Sequence, residues 1–225
     1  MLRFLPRRVS SRLRAAPINA SRLHLEAFAA EAAAVGSDKS FKVLDAGAGK
    51  LPYASMFAHV TYEAADLDDN GLVDYVCDIA DMPMPDDTYD LVFCSQTLEH
   101  VTDPERVLRE IRRVLKPGGQ AWLSAPFFYE EHIKPYDYFR FTQFAWRHLA
   151  AKTGFHVDDI RWLEGYYGTL SYQLHMAYKA LPRRLRWQRL LLLHLSRQFA
   201  RREMVERFTR RGMCKNYRVR LINPG

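Results

Sequence analysis

From Phe41 onward the chain alternates between short apolar runs and stretches whose apolar residues recur at helical spacing. Phe41 to Ala46 reads as a strand that carries Asp45 near its end and runs into a glycine turn. Leu51 to His59 is predicted as a helix, Val60 to Asp66 as a second strand and Tyr75 to Asp78 as a short third. Tyr89 to Ser95 is a fourth, and its unbroken run Leu91, Val92, Phe93, Cys94 fits a strand covered on both faces. The next helix is signalled by Asp103 as N-cap and Pro104 as its first residue. Val107, Leu108, Ile111, Val114 and Leu115 then fall on one face. Pro117-Gly118-Gly119 should stop that helix and turn the chain into a strand from Gln120 to Ala125. Thr142 is placed as the cap of a helix reaching Lys152, with Gly154 after it. Strands are predicted at His156 to Leu163 and Tyr217 to Ile222.

Strands alternating with helices imply an α/β fold, a mostly parallel sheet in a three-layer αβα sandwich. In such sheets ligands bind beyond the carboxyl ends of the strands, where the strand order reverses. Chemistry is therefore expected in the loops that follow strands.

Composition adds limits. A chain of 225 residues with 48% apolar positions suits one folded domain with an extension. Its longest strongly apolar run, Leu190 to Leu193, is too short to span a bilayer. Cys77, Cys94 and Cys214 lack zinc-site spacing and form no even set, so free thiols in a reducing, cytoplasmic compartment are expected and no metal site is. Net charge is +7, unevenly spread: Met1 to Leu25 holds no acid, and a second basic block runs from Arg183 to Arg220. Arg3, Arg7, Arg8, Arg12 and Arg14 among serines fit either a mitochondrial transit peptide or a basic bacterial leader, of which the leader is favoured.

The candidate chemistry begins at Val43-Leu44-Asp45-Ala46-Gly47-Ala48-Gly49, a strand, an acid and a two-glycine turn. Glycine there lets backbone approach a ligand closely. Asp66 follows Asp45 by 21 positions, at a strand end where a carboxylate can accept from both ribose hydroxyls. A nicotinamide-binding turn would have a third glycine where this chain has Pro52, and no phosphate-cradling G-x-x-x-x-G-K-[ST] loop is present. The ligand expected is a nucleoside without a pyrophosphate.

Further pieces follow in order: Ala65-Asp66-Leu67, Cys77-Asp78-Ile79, Met82 to Val92, Leu98-Glu99-His100-Val101 and Leu115-Lys116-Pro117-Gly118-Gly119. Together, residues 41 to 125 resemble the core of class I S-adenosylmethionine-dependent methyltransferases. The branch is the small-molecule one that includes the ubiquinone and menaquinone enzymes. The resemblance implies S-adenosylmethionine as cofactor, with Gly47 and Gly49 beside its methionine part and Asp45 near its ammonium. It further implies Asp66, with Leu67 beside it, at the ribose, and Asp78 and Ile79 at the adenine. Ser95 and Gln96 would line the methyl end. A seven-stranded sheet with an antiparallel seventh strand, Tyr217 to Ile222, is also implied.

Two histidines are candidate bases, imidazole being suited to neutral pH. His100 follows the fourth strand, where the family's methyl donor lies; the competing reading is a cap or packing role for the next helix. His132 sits in the loop 127–142, dense in aromatic and charged residues and long for a connection. That loop reads as an acceptor-pocket wall or lid and resembles a stretch of bacterial small-molecule and glycan-modifying methyltransferases. The alternative is a structural Asp137–Arg140 ion pair among packed rings. No Asn/Asp-Pro-Pro-Tyr/Phe tetrad follows the fourth strand, and no proline–cysteine pair is present, which disfavours nucleobase N- or C5-methylation.

Tyr166 to Lys215 reads as a basic helical insertion in which Trp187, Leu191, Leu195 and Phe199 form a stripe, with Arg186, Arg197 and Arg201 on another side. The domain plan is thus a basic arm and helix over 1–40 and a methyltransferase domain over 41–225. The expected partner is a small-molecule or lipid-like acceptor, methylated at oxygen or carbon. The insertion is read either as a helix that packs its apolar stripe on its own domain with a solvated basic face, or as a peripheral contact with an anionic membrane surface. Nucleic acid is not expected. A catalytically idle, methyltransferase-like binding or assembly protein is the alternative.

Overall fold

Four consecutive side chains, Leu91 to Cys94, are fully buried, which requires cover on both faces of their strand. The computed structural model, which describes residues 19–225, provides that cover in a seven-stranded sheet flanked by helices. The basic arm with Arg3, Arg7, Arg8, Arg12 and Arg14 lies outside the described residues.

In chain order the elements are α1 (Ser21–Ala33), β1 (Lys42–Ala46), β2 (Thr61–Asp66), β3 (Tyr75–Val76), β4 (Tyr89–Ser95) and α2 (Pro104–Val114). β5 (Leu115–Pro126), α3 (Gln143–Thr153), β6 (His156–Trp162), α4 (Tyr166–Ala180), α5 (Arg186–Val205) and β7 (Asn216–Ile222) complete them. The sheet order is β3-β2-β1-β4-β5-β7-β6. β1 pairs in parallel with both β2 and β4, and β7 runs antiparallel to β5. The chain therefore leaves β1 in one direction and returns on its other side at β4. The order reverses between those two strands, and their carboxyl ends, at Gly47 and Gln96, open the crevice.

Two compact units make up the described chain: Leu25–Arg161 with Asn216–Gly225, and residues 19–24 with Trp162–Lys215. In the sheet unit, Phe93 meets Phe28 of α1 and Phe57, with ring centroids 5.8 Å apart in each case. Helix α2 starts as its residues dictate, the Asp103 carboxylate accepting from Arg106 N at 3.0 Å. Its Val107, Leu108, Ile111 and Val114 are buried, each stabilising the fold by about 1.5–3 kcal/mol. Thr142 caps α3 in the same way, accepting from Ala145 N at 3.1 Å, and Gly154 ends that helix in the left-handed region.

Three expectations are corrected. Leu51 to His59 contains no α-helix, only a 3-10 turn at Ala54–Phe57; Leu51 has φ of +51°, a left-handed conformation from which a helix cannot start. β5 begins at Leu115 rather than Gln120, because Pro117-Gly118-Gly119 forms a bulge between the Tyr89–Leu115 and Leu91–Gln120 pairings. Asn223 holds that bulge: its backbone bonds with Gly118 and Gly119, and its side chain donates to the Leu115 carbonyl at 2.9 Å.

The third correction lies in the helical unit. The buried residues of α5 are Ser196, Ala200 and Glu203, not the aromatic and leucine stripe. Small residues let α4 and α5 approach closely, and the Ser171 and Ser196 hydroxyls each donate to the other's carbonyl, at 2.8 and 2.9 Å. Glu203 accepts from Gly165 N and Gly168 N at 2.7 and 2.8 Å, capping the amino terminus of α4. Trp187 is 68% exposed, and Leu190 and Leu191 are exposed beside it.

Candidate functional site

The turn after β1 is built to keep side chains out. Gly47 has φ of +76°, and a Cβ there would stand 2.3 Å from the Thr97 side chain. Its N–H donates to the Ala65 carbonyl at 2.8 Å, which pins the turn to the end of β2. Gly49, at φ of +53°, would meet nothing with a Cβ, and its N–H donates to Asp66 Oδ2 at 2.8 Å. The other Asp66 oxygen accepts from Asp68 N at 3.0 Å. Across the crevice Gln96 also adopts a left-handed conformation, with φ of +59°. Its N–H and side-chain amide both donate to Ser124, and Ser95 Oγ lies 2.9 Å from Ser124 Oγ.

These residues enclose a cavity of about 290 Å³ walled by Asp45, Gly47, Ala48, Gly49, Lys50, Pro52, Tyr53, Ser95 and Gln96. Asp45 is the buried acid on that wall, accepting from the Tyr62 hydroxyl at 2.7 Å. Burial pushes its carboxyl up to about 7; the Tyr62 hydrogen bond opposes the shift and the nearby Asp66 charge adds to it. A buried carboxylate on an open wall, with a tyrosine hydroxyl beside it and no ion pair to it among the described residues, suits a cationic ligand group.

A second cluster follows β4. Leu98–His100 is a 3-10 turn, and the loop 127–142 is bound to it: Tyr138 N donates to the Glu99 carbonyl at 2.8 Å, and Phe139 N at 3.3 Å. Within the loop Arg140 grips Asp137 with both terminal nitrogens, at 2.6 and 2.7 Å, and donates to the Tyr129 and Glu130 carbonyls. This bidentate pair, with the His132 N–H also on Asp137, holds the Asp137 carboxyl well below the usual range. His100 Nδ1 lies 2.5 Å from the Tyr136 carbonyl, and the His100 and His132 rings meet edge to face at 4.7 Å. Between them Glu99 is fully buried, its carboxyl raised to about 8 by desolvation.

Residues 20–123 match a family model described as a methyltransferase domain. The ubiquinone/menaquinone biosynthesis C-methyltransferase UbiE of Cronobacter sakazakii is 34% identical over 130 residues, 47% of this chain. The match spans about half, 51%, of that relative's length. Among solved structures, the [4+2]-cyclase SpnF has a TM-score of 0.58 at 19% identity, covering 91% of this chain and 81% of its own. The phosphoethanolamine N-methyltransferase 2 of Haemonchus contortus, solved with S-adenosyl-L-methionine, also scores 0.58, at 16% identity over 92% of this chain and 53% of its own. Residues 20–123, a little under half of the chain, are thus similar to a methyltransferase domain.

The cavity brings together Asp45, Gly47, Gly49, Ser95 and Gln96. Asp66, Leu67, Asp78 and Ile79 are not among its walls; they lie at and beyond the ends of β2 and β3. Leu67 is 71% exposed, whereas Ile79 is packed inside, so Leu67 offers the free apolar surface beside Asp66. Asp78 is exposed and accepts from Ala80 N in its own turn. Three contributors had no role assigned from the sequence: Tyr62, which donates to Asp45, Thr97, which buttresses Gly47, and Glu99, quoted there only as part of a motif. Thr97 was findable in principle, because a glycine held at positive φ needs a neighbour filling the space a Cβ would take. In the loop 127–142 Asp137 and Arg140 form a structural ion pair, and Phe128, Tyr136, Tyr138 and Phe139 are exposed rather than packed in the core.

Proposed function

We propose that the protein transfers a methyl group from S-adenosylmethionine to the oxygen or carbon of a small-molecule or lipid-like acceptor. The observation that carries this reading is the buried Asp45, without an ion pair among the described residues, on the wall of a glycine-lined cavity at the sheet's reversal point. S-adenosylmethionine supplies a sulfonium-activated methyl group. Asp45 is the partner for the ammonium of its methionine part, and Gly47 and Gly49 let that part lie against backbone. Asp66 retains free lone pairs for ribose hydroxyls, and Asp78 is the acceptor for the adenine amino group. Ser95 and Gln96 border the methyl end. The domain's task is alignment, which removes roughly 7–11 kcal/mol of barrier when reacting atoms are held in line.

His100 and His132 are the acceptor-side groups of this reading. Each directs Nδ1 at oxygen acceptors, so Nε2 is the atom that takes a proton from an acceptor hydroxyl. Calorimetry with S-adenosylhomocysteine tests the donor half, and turnover of a metabolite pool with labelled S-adenosylmethionine tests the reaction. Cofactor binding without any labelled product would favour an idle relative; neither binding nor product would remove the reading altogether.

The same proposal gives α5 a peripheral contact with anionic membrane. Exposed Trp187, Leu190 and Leu191, set among exposed Arg186, Arg197 and Arg201, support it. Among the described residues no helix is long and apolar enough to cross a bilayer. Co-sedimentation should be stronger with anionic than with neutral liposomes, and equal retention would exclude this contact.

A further inference from the structure

Glu99, His100 and His132 present one another with nothing but lone pairs. His100 Nδ1 faces the Tyr136 carbonyl at 2.5 Å, and a carbonyl can only accept, so Nδ1 carries the proton. His132 Nδ1 lies 3.2 Å from Asp137 Oδ2 and 3.3 Å from the Glu130 carbonyl, again acceptors only. Both Nε2 atoms are thereby left bare when the rings are neutral. They point at the same oxygen: Glu99 Oε1 is 3.8 Å from His100 Nε2 and 3.9 Å from His132 Nε2. Neither Glu99 oxygen has a hydrogen-bond partner, nor does His100 Nε2, and all of these atoms are buried. Buried acceptors facing acceptors are costly unless a proton or a metal cation lies between them.

We propose that Glu99, His100 and His132 form a binding site for a divalent first-row transition metal of the Zn²⁺ type. The three donor atoms lie within 4.8 Å of one another. Separations of 3.8 and 3.9 Å are too long for hydrogen bonds but can be bridged by two bonds of about 2.1 Å to one ion. Two imidazoles and one carboxylate suit Zn²⁺ and its neighbours and do not suit Mg²⁺ or Ca²⁺. The outer contacts are those of a metal site: a carboxylate behind one histidine and a backbone carbonyl behind the other. Beside the cluster the Asp137 carboxylate and the Arg140 guanidinium hold each other in an ion pair. Three protein ligands leave at least one coordination position for water or an acceptor oxygen. With the ion bound, Nε2 no longer acts as a base, and the ion itself acidifies what it holds. The site does not depend on the donor cavity or on methyl transfer.

The test uses the full chain, stripped with a chelator and dialysed, then titrated with Zn²⁺ against a chromophoric competitor, and with Co²⁺ followed by visible absorption. One equivalent should bind, with protons released on binding. H132A and E99Q should each weaken it by at least about 100-fold, more than losing a supporting residue costs. H148A, on an exposed position of α3, should bind as wild type does. Absence of a stoichiometric wild-type site, which would mean that a proton rather than a metal occupies the cluster, overturns the proposal without reliance on any variant. So does affinity undiminished in folded H132A and E99Q.

Discussion

The donor cavity and the Glu99–His100–His132 cluster adjoin the same strand, β4, yet they are built by different means. The cavity is made by strand ends and backbone: Gly47, Gly49 and Gln96 are placed by left-handed turns, Gly47 and Gln96 tied to neighbouring strands by main-chain hydrogen bonds and Gly49 to the Asp66 carboxylate. The cluster is made by side chains on a long loop, and its geometry depends on the Asp137–Arg140 clamp. Strand ends fix a shape that serves one cofactor. A loop clamped at one ion pair can be rebuilt for another acceptor without touching the sheet.

The largest expected effect separates the two regions. Asp137→Ala leaves Arg140 without its partner and frees the loop, a loss of about 3 kcal/mol for a nearly buried pair. Thermal unfolding should shift down and turnover should vanish. Calorimetry should still find S-adenosylhomocysteine binding near the wild-type level, and loss of that binding would show the regions to be one. Asp45→Asn is the converse. Removing a charge-assisted contact costs about 1.5–3 kcal/mol, so S-adenosylhomocysteine should bind roughly 10- to 100-fold more weakly, while Zn²⁺ uptake is unchanged.

Titration sharpens the comparison further. Asp45 has its carboxyl raised to about 7 in the free protein. The folded, ligand-free state thus holds a proton that the unfolded chain releases near pH 4. This group's contribution to stability is full below that pH and is lost as pH rises through about 7. A cationic ligand needs the ionised form, so affinity should fall as pH drops below about 7, by up to about tenfold per unit. Binding isotherms from pH 5.5 to 8.5 would reveal the slope, and Asp45→Asn should flatten it. The smallest effect expected is from Thr142→Ala, which removes a helix cap at the end of the loop without touching the cavity wall or the three cluster side chains. About 1 kcal/mol of stability should go, measured by denaturant titration, with ligand binding unaltered.

The same contrast explains what could be read from residue order. The donor side was legible because its pieces are contiguous: a strand, an acid, two glycines, and an acid 21 positions on. The sheet followed from apolar runs such as Leu91 to Cys94, and the caps Asp103 and Thr142 from local rules. The cluster was only half visible. His100 and His132 stood out singly, but they lie 32 positions apart, and no periodicity joins them. Glu99 was passed over because a glutamate in a turn is ordinarily solvated, and its burial depends on a loop that arrives 30 residues later. Helix α5 failed for a related reason. Its leucines and tryptophan outweigh Ser196, Ala200 and Glu203 in hydrophobicity, but close approach to α4 selected the small residues and the cap. The missing helix at Leu51 is a backbone matter, since nothing in Leu-Pro-Tyr announces a left-handed leucine.

The helical unit leaves the sheet after β6 and rejoins it at β7, and those two strands are neighbours. An excursion that departs and returns at adjacent rungs of a ladder behaves as a cassette: shortening or replacing it alters loop-closure entropy only slowly with length. Descendants of this gene can therefore trade that cassette, and whatever surface it carries, while inheriting the cofactor fold unchanged.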